Sequence, residues 1–530
     1  MLKVPLFRRI GNAAAVLLGS HGDVAEAARQ AGCSRQSVYD HAGQVQQALE
    51  EAQLPGPSRS ELLTQVEQLR QDNAALRVQL AQRGEFIEFN QDRRQRLSAT
   101  TSAMGLSLNQ ISEIFAVLLT DQPPCVACQP APSRATIGRW VLTACVLAGV
   151  VLRLLDERSR ASVRVLCLDE IFFHGKPVLV AVEPLSMAVL HCHKAPDRTG
   201  QTWQAVLQPF TRLEHAVADA GSGLQAGLQA VQQQRRQSQA TPQPLPLLSV
   251  GLDVFHIDKE AQVPLGQSWR RVEACWEAAE KAEQRARQAE EANRDLCGPR
   301  ARMRAAQRRL QWQWDFYEEW ENGWKRAKAA LGLFRPDGKL NDRSWATREI
   351  EAACEVLSGP RWQKVRSMLR DQRTLAFLDR VHRQLGEAEA DGQLREALVE
   401  LWRLEQRGGQ AATAQSVAQL ALCKCLAEDW QKRYARVSEV LAGVVRASSA
   451  VECVNSVLRM QQGRHRNVSQ EMLDLKRLYW NTRVIQQGKR EGKCPYQHLG
   501  LSLPTYDFWK LLHADPGKLA QELSSQPVTH

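Results

Sequence analysis

The chain has 530 residues, enough for several domains that each have their own core. Its formal net charge of +11 favours a polyanionic partner, most simply nucleic acid, although ribosomal or membrane-surface binding would also fit. The 13 cysteines are scattered singly and the first residues have no long apolar region, so we expect a cytoplasmic protein with reduced thiols. The most apolar window, residues 140–152, is too short to span a membrane and predicts a buried helix.

Residues 24–45 have the pattern of a helix-turn-helix. Small apolar residues such as Ala27 and Ala28 form one helix face, Gly32 lies in a tight turn, and Ser34 can cap a second helix. In such a unit the second helix enters the major groove, where polar side chains near its start meet base edges. The side chains so predicted to contact DNA are Arg35, Gln36, Ser37 and Tyr39. A small helical bundle without a DNA role is the alternative.

A heptad pattern follows a Pro- and Gly-containing loop. Its seam positions are Leu62, Val66, Leu69, Asn73, Leu76 and Leu80. Asn73 falls at an a-type position, where a single buried Asn commonly fixes register and a two-stranded state. We therefore expect a short coiled coil and a homodimer, with an intramolecular helical hairpin as the alternative.

Residues 93–141 resemble a second helix-turn-helix with a long turn. Ser133 can cap a helix that presents Arg134 and Arg139 to DNA. Cys125 and Cys128, in the preceding loop, have the spacing of half a zinc site. No second pair lies at the usual distance, so a plain loop is favoured over zinc.

An apolar run with one carboxylate, Asp169, spans residues 163–173. Its β-branched residues and short length favour a strand buried on both faces of a larger sheet. Two further apolar runs, 177–182 and 188–193, predict a three-stranded meander. An ionised Asp in such a strand is costly unless a positive charge offsets it.

Two further strands are predicted to end in acidic residues. A short strand delivers Asp219, which is followed by Gly221 and Gly223, and glycines there allow backbone to approach a bulky ligand. A strand at 247–252 runs into Asp253 and His256. Asp253 is either a metal- or substrate-side residue or a cap of the following helix, and His256 is a candidate for orienting DNA.

From residue 265 to 441, strand signals vanish and helix periods dominate. Tryptophans are spread along this stretch, and most are expected to pack in a core, with stacking on unpaired bases as the less favoured alternative. A basic run either follows a phosphate backbone or forms a solvated helix face. Its members are Arg300, Arg302, Arg304, Arg308 and Arg309.

The last segment contains a predicted helix with two different faces. Glu452, Asn455, Ser456 and Arg459 share one face, and apolar residues share the opposite face. Ser448 or Ser449 can cap its start. A second helix and a basic tail follow.

These features favour metal-dependent phosphodiester chemistry. The sequence has no phosphate-binding loop, no dinucleotide fingerprint and no convincing nucleophile–His–Asp set, which argues against an ATPase or a dehydrogenase. Isolated acids on apolar strands are hard oxygen ligands suited to Mg²⁺ or Mn²⁺. Two such ions about 3.5–4 Å apart can activate an attacking hydroxyl and stabilise the leaving oxygen.

The ordered combination of LCLDEIFF, AVADAGSG and ExxNSxLR with downstream LYWNTR resembles the DDE transposases of bacterial insertion sequences. The resemblance implies a ribonuclease H-like domain in which Asp169, Asp219 and Glu452 hold two Mg²⁺ or Mn²⁺ ions. It also implies cutting and joining of double-stranded DNA at terminal repeats and target sites by a dimer in a bacterial cytoplasm. Residues expected to contact DNA near the acids are Asn455, Arg459, Arg464 and His465, with Asp253 and His256 as accessories.

The predicted fold is therefore multidomain, with all-α helix-turn-helix units and a coiled coil before an α/β ribonuclease H-like mixed sheet that a large all-α insertion interrupts. The predicted domains are 1–53 (helix-turn-helix), 58–90 (coiled coil), 91–157 (second helix-turn-helix-like region), 160–264 (first part of the sheet domain), 265–441 (insertion), 442–505 (final helices of the sheet domain) and 506–530 (tail). A dimeric DNA-binding regulator and a ribonuclease H-like nuclease without strand transfer are the alternatives.

Overall fold

The computed structural model describes residues 6–51, 59–82, 89–119, 131–240, 244–407, 410–463 and 468–525. The chain forms two compact units, Met1–Asn90 and Gln91–His530. Its described residues are mostly helical, with one small five-stranded mixed sheet in the second unit. The prediction of a multidomain, helix-rich chain with a sheet domain is confirmed at this level.

The first unit contains α1 (Leu6–Leu17), α2 (Asp23–Ala31), α3 (Arg35–Glu51) and α4 (Arg59–Gln82). Gly32 ends α2 with a left-handed φ of 64°, a conformation that glycine adopts without a Cβ clash. At the start of α3, Ser34 accepts a hydrogen bond from the Ser37 N–H at 3.1 Å. The turn and cap of the predicted motif are thus present. The preceding helix α1, which the sequence pattern did not indicate, packs against α3.

The predicted coiled-coil segment is the single helix α4. Its seam residues Leu62, Leu69 and Leu76 are 42%, 65% and 56% exposed, and Asn73 is also exposed. The side chain of Leu80 lies outside the described residues. Dimerisation through this seam stays a prediction.

The sheet consists of β1 (Val165–Phe173), β2 (Lys176–Glu183), β3 (Ala188–Lys194), β4 (His215–Ala218) and β5 (Ser249–Leu252), in the order β3-β2-β1-β4-β5. The first three strands pair antiparallel, whereas β4 pairs parallel with both β1 and β5. The predicted meander and the two later strands are confirmed. Because β1 is central, Asp169 lies near the middle of the sheet, opposite Val180 of β2.

Alternation along β1 sends successive side chains to opposite sheet faces. Leu168 packs in a core with α8 (Gly200–Leu207) and α9 (Ser222–Ser238). Its neighbour Asp169 faces the other side, where α18 (Ser449–Gln462) covers the sheet. The apolar residues of α18 therefore hold the polar face of that helix at a fixed distance from β1.

Before the sheet lie α5 (Gln91–Ala103), α6 (Leu108–Leu119) and α7 (Arg134–Ser162). Ser133 caps α7 by accepting from the Thr136 N–H at 3.2 Å. The predicted short helix after Ser133 and the predicted apolar helix at 140–152 are parts of this one 29-residue helix. Cys125 and Cys128 lie outside the described residues, so the zinc alternative stays open.

By length and composition, α7 is the one helix in the described part of the chain that could cross a membrane. It packs along α19 (Gln470–Thr482). Near its end Asp156 accepts bonds from Arg477 at 2.6 Å and from Arg160 at 2.9 Å. A buried, fully paired carboxylate on the packed side is expected of a helix in a protein core.

The insertion is helical in its described residues, apart from one isolated bridge between Phe334 and Leu340. Its helices are α10 (Val254–Glu291), α11 (Cys297–Ala330), α12 (Arg343–Val356), α13 (Gln363–Arg370), α14 (Ala376–Ala388), α15 (Gly392–Arg407), α16 (Gln410–Leu426) and α17 (Trp430–Ala442). The helical region begins directly after β5 rather than at 265, because Pro264 is accommodated inside α10. Trp320, Trp324 and Trp362 are buried in its core, as predicted for most tryptophans.

After α18 and α19, the chain forms α20 (Pro495–His498), α21 (Phe508–Leu512) and α22 (Pro516–Ser525). The segment from 506 onward was predicted only as a tail. Its two helices pack on α7 and bury Leu511 and Leu519, so the described part of it belongs to the second unit.

Candidate active site

Asp169 is buried in the sheet, at 4% exposure. One carboxylate oxygen accepts the Asn455 amide at 2.7 Å, and the other accepts the N–H of Glu170 at 2.8 Å. Burial raises the pKa of Asp169 to about 6. The Glu170 N–H and the charge of His256 act against this rise, while Asp219 and Glu452 add to it.

Glu452 comes from α18, whose residues Val451, Val454 and Leu458 pack on the sheet. This packing turns Glu452 toward β1, as the helix pattern predicted. Its Oε2 accepts a bond from Arg459 at 3.1 Å. Its Oε1 is buried and has no hydrogen-bond partner in the described residues. A buried carboxylate oxygen without a donor is costly, so a cation or a donor beside this atom would be stabilising.

His256 lies beside Glu452 on the first turn of α10. Its Nε2 is 3.6 Å from Glu452 Oε1, and its Nδ1 bonds to Asp253. Burial alone would lower the pKa of His256. The hydrogen bond to Asp253 and the charges of Asp253, Asp169 and Asp219 outweigh burial, so the pKa is raised. When it is protonated, His256 offsets part of the negative charge in the site.

Asp253 joins two parts of the chain that are 195 residues apart. It is fully buried and caps α10 by accepting the Phe255 N–H at 2.9 Å. It also accepts the Ser448 N–H at 2.8 Å and the Ser448 hydroxyl. Burial alone would raise the pKa of Asp253, but the bonds from His256 and Ser448 lower it. With these donors in place, Asp253 positions His256 and the start of α18.

Asp219 follows β4 and is half-buried. One of its carboxylate oxygens accepts the Gly221 N–H at 3.0 Å, and its carbonyl accepts the side-chain amide of Gln225. Its charge raises the pKa of both Asp169 and His256, which places it in the same electrostatic environment.

The structure brings three potential metal ligands together. Single ligand atoms of Asp169, His256 and Glu452 all lie within 4.8 Å of one another. Asp219, the third predicted acid, is not in this group. The predicted triad is therefore represented here by two of its acids together with the predicted accessory His256.

The donor set fits a hard divalent cation. Two carboxylates suit Mg²⁺ or Mn²⁺, and Mn²⁺ also tolerates an imidazole nitrogen. The unpartnered Oε1 of Glu452 and the raised pKa of Asp169 are both expected where a cation would balance the site. Asp169 and Glu452 are the residues that would hold it, with Asp219 next to them.

The residues predicted to contact DNA differ in their exposure to solvent and in their partners. Arg35, Gln36 and Tyr39 are exposed on α3 and Ser37 is half-buried, while Arg134 and Arg139 are exposed on α7. Arg459 is half-exposed and bonded to Glu452. Arg464 and His465 lie outside the described residues.

Asn455 was predicted to contact DNA, and its surroundings correct that assignment. It is fully buried and its amide is used to hold Asp169. The sequence signal for this role was already available, because Asn455 lies three residues after Glu452 on the same helix face. Ser448 and Gln225, which hold Asp253 and Asp219, carried no such signal.

Comparisons with family models, with curated proteins and with solved structures gave no match to this chain.

Proposed function

We propose that the protein is a DDE-type transposase that cuts and joins DNA at the ends of an insertion sequence. The observation that carries the proposal is the pairing of buried Asp169 with Glu452, whose buried Oε1 lies 3.6 Å from His256 Nε2 but has no hydrogen-bond partner in the described residues. Such a pair is expensive in a protein that leaves it without a cation. The presence of both acids in one group of potential ligands, in a basic protein, favours phosphodiester chemistry.

The order of elements supports a ribonuclease H-like domain. Asp169 lies on the first strand of an antiparallel meander, and Asp219 follows β4, which pairs parallel with β1. Glu452 lies on α18, after a long helical insertion. This is the arrangement that the resemblance to DDE transposases implies.

Each residue of the site has a distinct part in the proposed reaction. Two bound Mg²⁺ or Mn²⁺ ions would activate the attacking hydroxyl and stabilise the leaving oxygen. Asp169 and Glu452 would hold the ions, together with Asp219, the third acid that the resemblance implies. Asn455 fixes the Asp169 carboxylate, and Asp253 fixes His256 beside Glu452. Arg459 is exposed enough to exchange its bond with Glu452 for a substrate phosphate.

The partners follow from the first unit. The α2–α3 motif exposes Arg35, Gln36 and Tyr39 for terminal repeats, and α4 offers an exposed leucine seam for a second copy. We propose a homodimer that binds double-stranded DNA in a bacterial cytoplasm.

The test uses the full chain and a duplex carrying the DNA that flanks its own gene. We expect nicks and strand-transfer products with Mg²⁺ or Mn²⁺, and their loss in Asp169→Asn, Asp219→Asn and Glu452→Gln at unchanged DNA binding. Asp258→Asn is the matched control, because Asp258 lies on α10 near the site but pairs with Lys328 at 3.2 Å. A second readout is thermal stability, which Mn²⁺ should raise in the wild type and not in Glu452→Gln.

Three results would contradict parts of this proposal. Near-full cleavage by any of the three acid variants would remove that residue from the triad. Nicking without joined products would favour a nuclease. Binding of verified ends without cleavage in either metal would favour the dimeric regulator, which would use the same α2–α3 and α4 surfaces.

A further inference from the structure

Helices α10 and α11 form a long antiparallel hairpin. Trp314 of α11 contacts both Trp269 and Trp276 of α10, and Arg300 at the start of α11 pairs with Glu290 near the end of α10. α10 has 38 residues, which corresponds to about 57 Å at 1.5 Å per residue. The turn of the hairpin therefore lies far from His256, at the other end of α10.

One row of α11 residues lies on the solvent side of this hairpin. Arg300, Arg304, Arg308 and Trp312 follow one another at four-residue steps, and all four are exposed. Residues four apart share a helix face, at a rise of about 6 Å per step. Trp314, which faces α10, is about 160° away from Trp312 around the helix. We call these four residues the α11 stripe.

The positive charge of the α11 stripe is only partly neutralised by acidic residues. Residues 296–314 include five arginines and no acidic residue. Arg300 pairs with Glu290, but neither Arg304 nor Arg308 has an acidic partner in the described part of the chain. Elsewhere on the hairpin, lysines and arginines pair with glutamates one turn away, as in Lys281–Glu277. A solvated helix face explains those paired residues. It explains the arginines of the α11 stripe less well, because two of the three have no acidic partner in the described residues.

Trp312 is a second feature of the α11 stripe, and it is independent of the arginine charges. It is 65% exposed, and its ring stacks against Phe316 on one side, with centroids 5.8 Å apart. Its indole N–H has no hydrogen-bond partner among the described residues, whereas those of Trp269 and Trp276 each donate to a glutamate. Core packing accounts for the buried tryptophans of the insertion but not for this one.

We propose that the α11 stripe binds single-stranded DNA. The arginines lie in line to follow one phosphate backbone, and Trp312 offers a ring on which an unpaired base can stack. A duplex fits this surface less well, because its bases are already stacked on each other. The inference goes beyond the proposed cleavage reaction, since binding here needs neither the acids nor a metal.

The experiment measures binding of a labelled oligodeoxythymidylate of about 20 nucleotides, longer than the roughly 4–16 that such sites cover. It uses the full chain with Glu452→Gln in EDTA, so that failure here leaves the cleavage proposal untouched. Trp312→Ala should weaken binding about 5- to 100-fold, while Trp312→Phe keeps most of it. The double variant Arg304→Ala/Arg308→Ala should reduce the salt slope of log K by about 1.4.

Arg309→Ala is the matched control, because it removes an exposed charge that points about 100° away from Arg308. A duplex of equal length is the second control. The proposal stands if the stripe variants lose oligonucleotide affinity while Arg309→Ala and duplex binding change little. It is overturned if the wild type does not bind the oligonucleotide, if Arg309→Ala costs as much, or if Trp312→Ala has no effect.

Discussion

Asp169 is held closer to its neutral form than an exposed aspartate would be. Burial raises its pKa from 3.8 to about 6, so the folded protein holds a proton there that the unfolded chain releases. The contribution of Asp169 to the free energy of unfolding is largest below pH 3.8, where the carboxyl is protonated in both the folded and the unfolded state. This contribution is lost as the pH rises to about 6. The difference corresponds to about 3 kcal/mol at neutral pH.

We therefore expect Asp169→Asn to be more stable than the wild type in EDTA at pH 7, and to lose this advantage near pH 4. The measurement is the melting temperature of both proteins across this range. Glu170→Gln is the matched control, because the adjacent Glu170 is tied to Arg198 rather than to the acid site. A constant difference between wild type and Asp169→Asn at every pH would argue against a buried, partly protonated Asp169.

Asn455 was predicted to contact DNA, but in the structure its side chain lies beside the carboxylate of Asp169. Its amide bonds to Asp169 at 2.7 Å. In Asn455→Leu the carboxylate loses this donor, and the Mg²⁺ concentration for half-maximal cleavage should rise about 10- to 100-fold at unchanged DNA binding. Ser456→Ala is the control, because Ser456 bonds only to the helix carbonyl of Cys453. Weaker DNA binding with an unchanged metal requirement would restore Asn455 as a DNA contact.

At the scale of elements, the insertion is connected to the second acid. Arg373, in the short 3₁₀ turn Gln372–Leu375, donates to the side-chain oxygen of Gln225. The amide of Gln225 in turn donates to the backbone carbonyl of Asp219. The position of the Asp219 backbone therefore depends on a contact made by the insertion.

On the proposed function, Arg373→Ala should lower the rate of cleavage about 10- to 100-fold, since a support of Asp219, a proposed metal ligand, is lost while Asp219 itself remains. Cleavage rate and DNA affinity are measured in parallel. Arg370→Ala, which removes an exposed pair with Glu351, should leave both unchanged. Equal losses in the two variants would indicate a general weakening of the insertion instead.

Some of these structural features could be predicted from the sequence, and others could not. The strands and their acids were predictable, because one apolar run contains Asp169 and two others end at Asp219 and Asp253. The bond between Asp253 and Ser448 was not, since its partners are 195 residues apart and carry no periodic signal. The length of α7 was also missed, because its charged last turns are buried through tertiary contacts, among them those with α19.

At the scale of the whole molecule, α4 leaves its leucine seam exposed in a single chain. We expect the full chain to be a dimer, and Leu69→Glu/Leu76→Glu to make it monomeric, because the charges would be buried in the seam. Sedimentation equilibrium gives the mass. Leu63→Glu is the control, since Leu63 is 45% exposed but lies off the seam. A monomeric wild type, or a dimer that survives the double variant, would assign another role to α4.

The contacts of Asp253 also affect how the helical insertion can change in length. The Val254 N–H bonds to the Arg446 carbonyl at 3.1 Å, next to the bonds between Asp253 and Ser448. The insertion therefore leaves and rejoins the sheet domain at adjacent points, as a long loop with its ends tied. Since the entropy of closing a loop grows only slowly with its length, this entropy changes little when residues are gained or lost far from the tied ends. Those parts of the insertion that contact neither β5 nor Gln225 can therefore change in length while β1 and α18 keep their spacing.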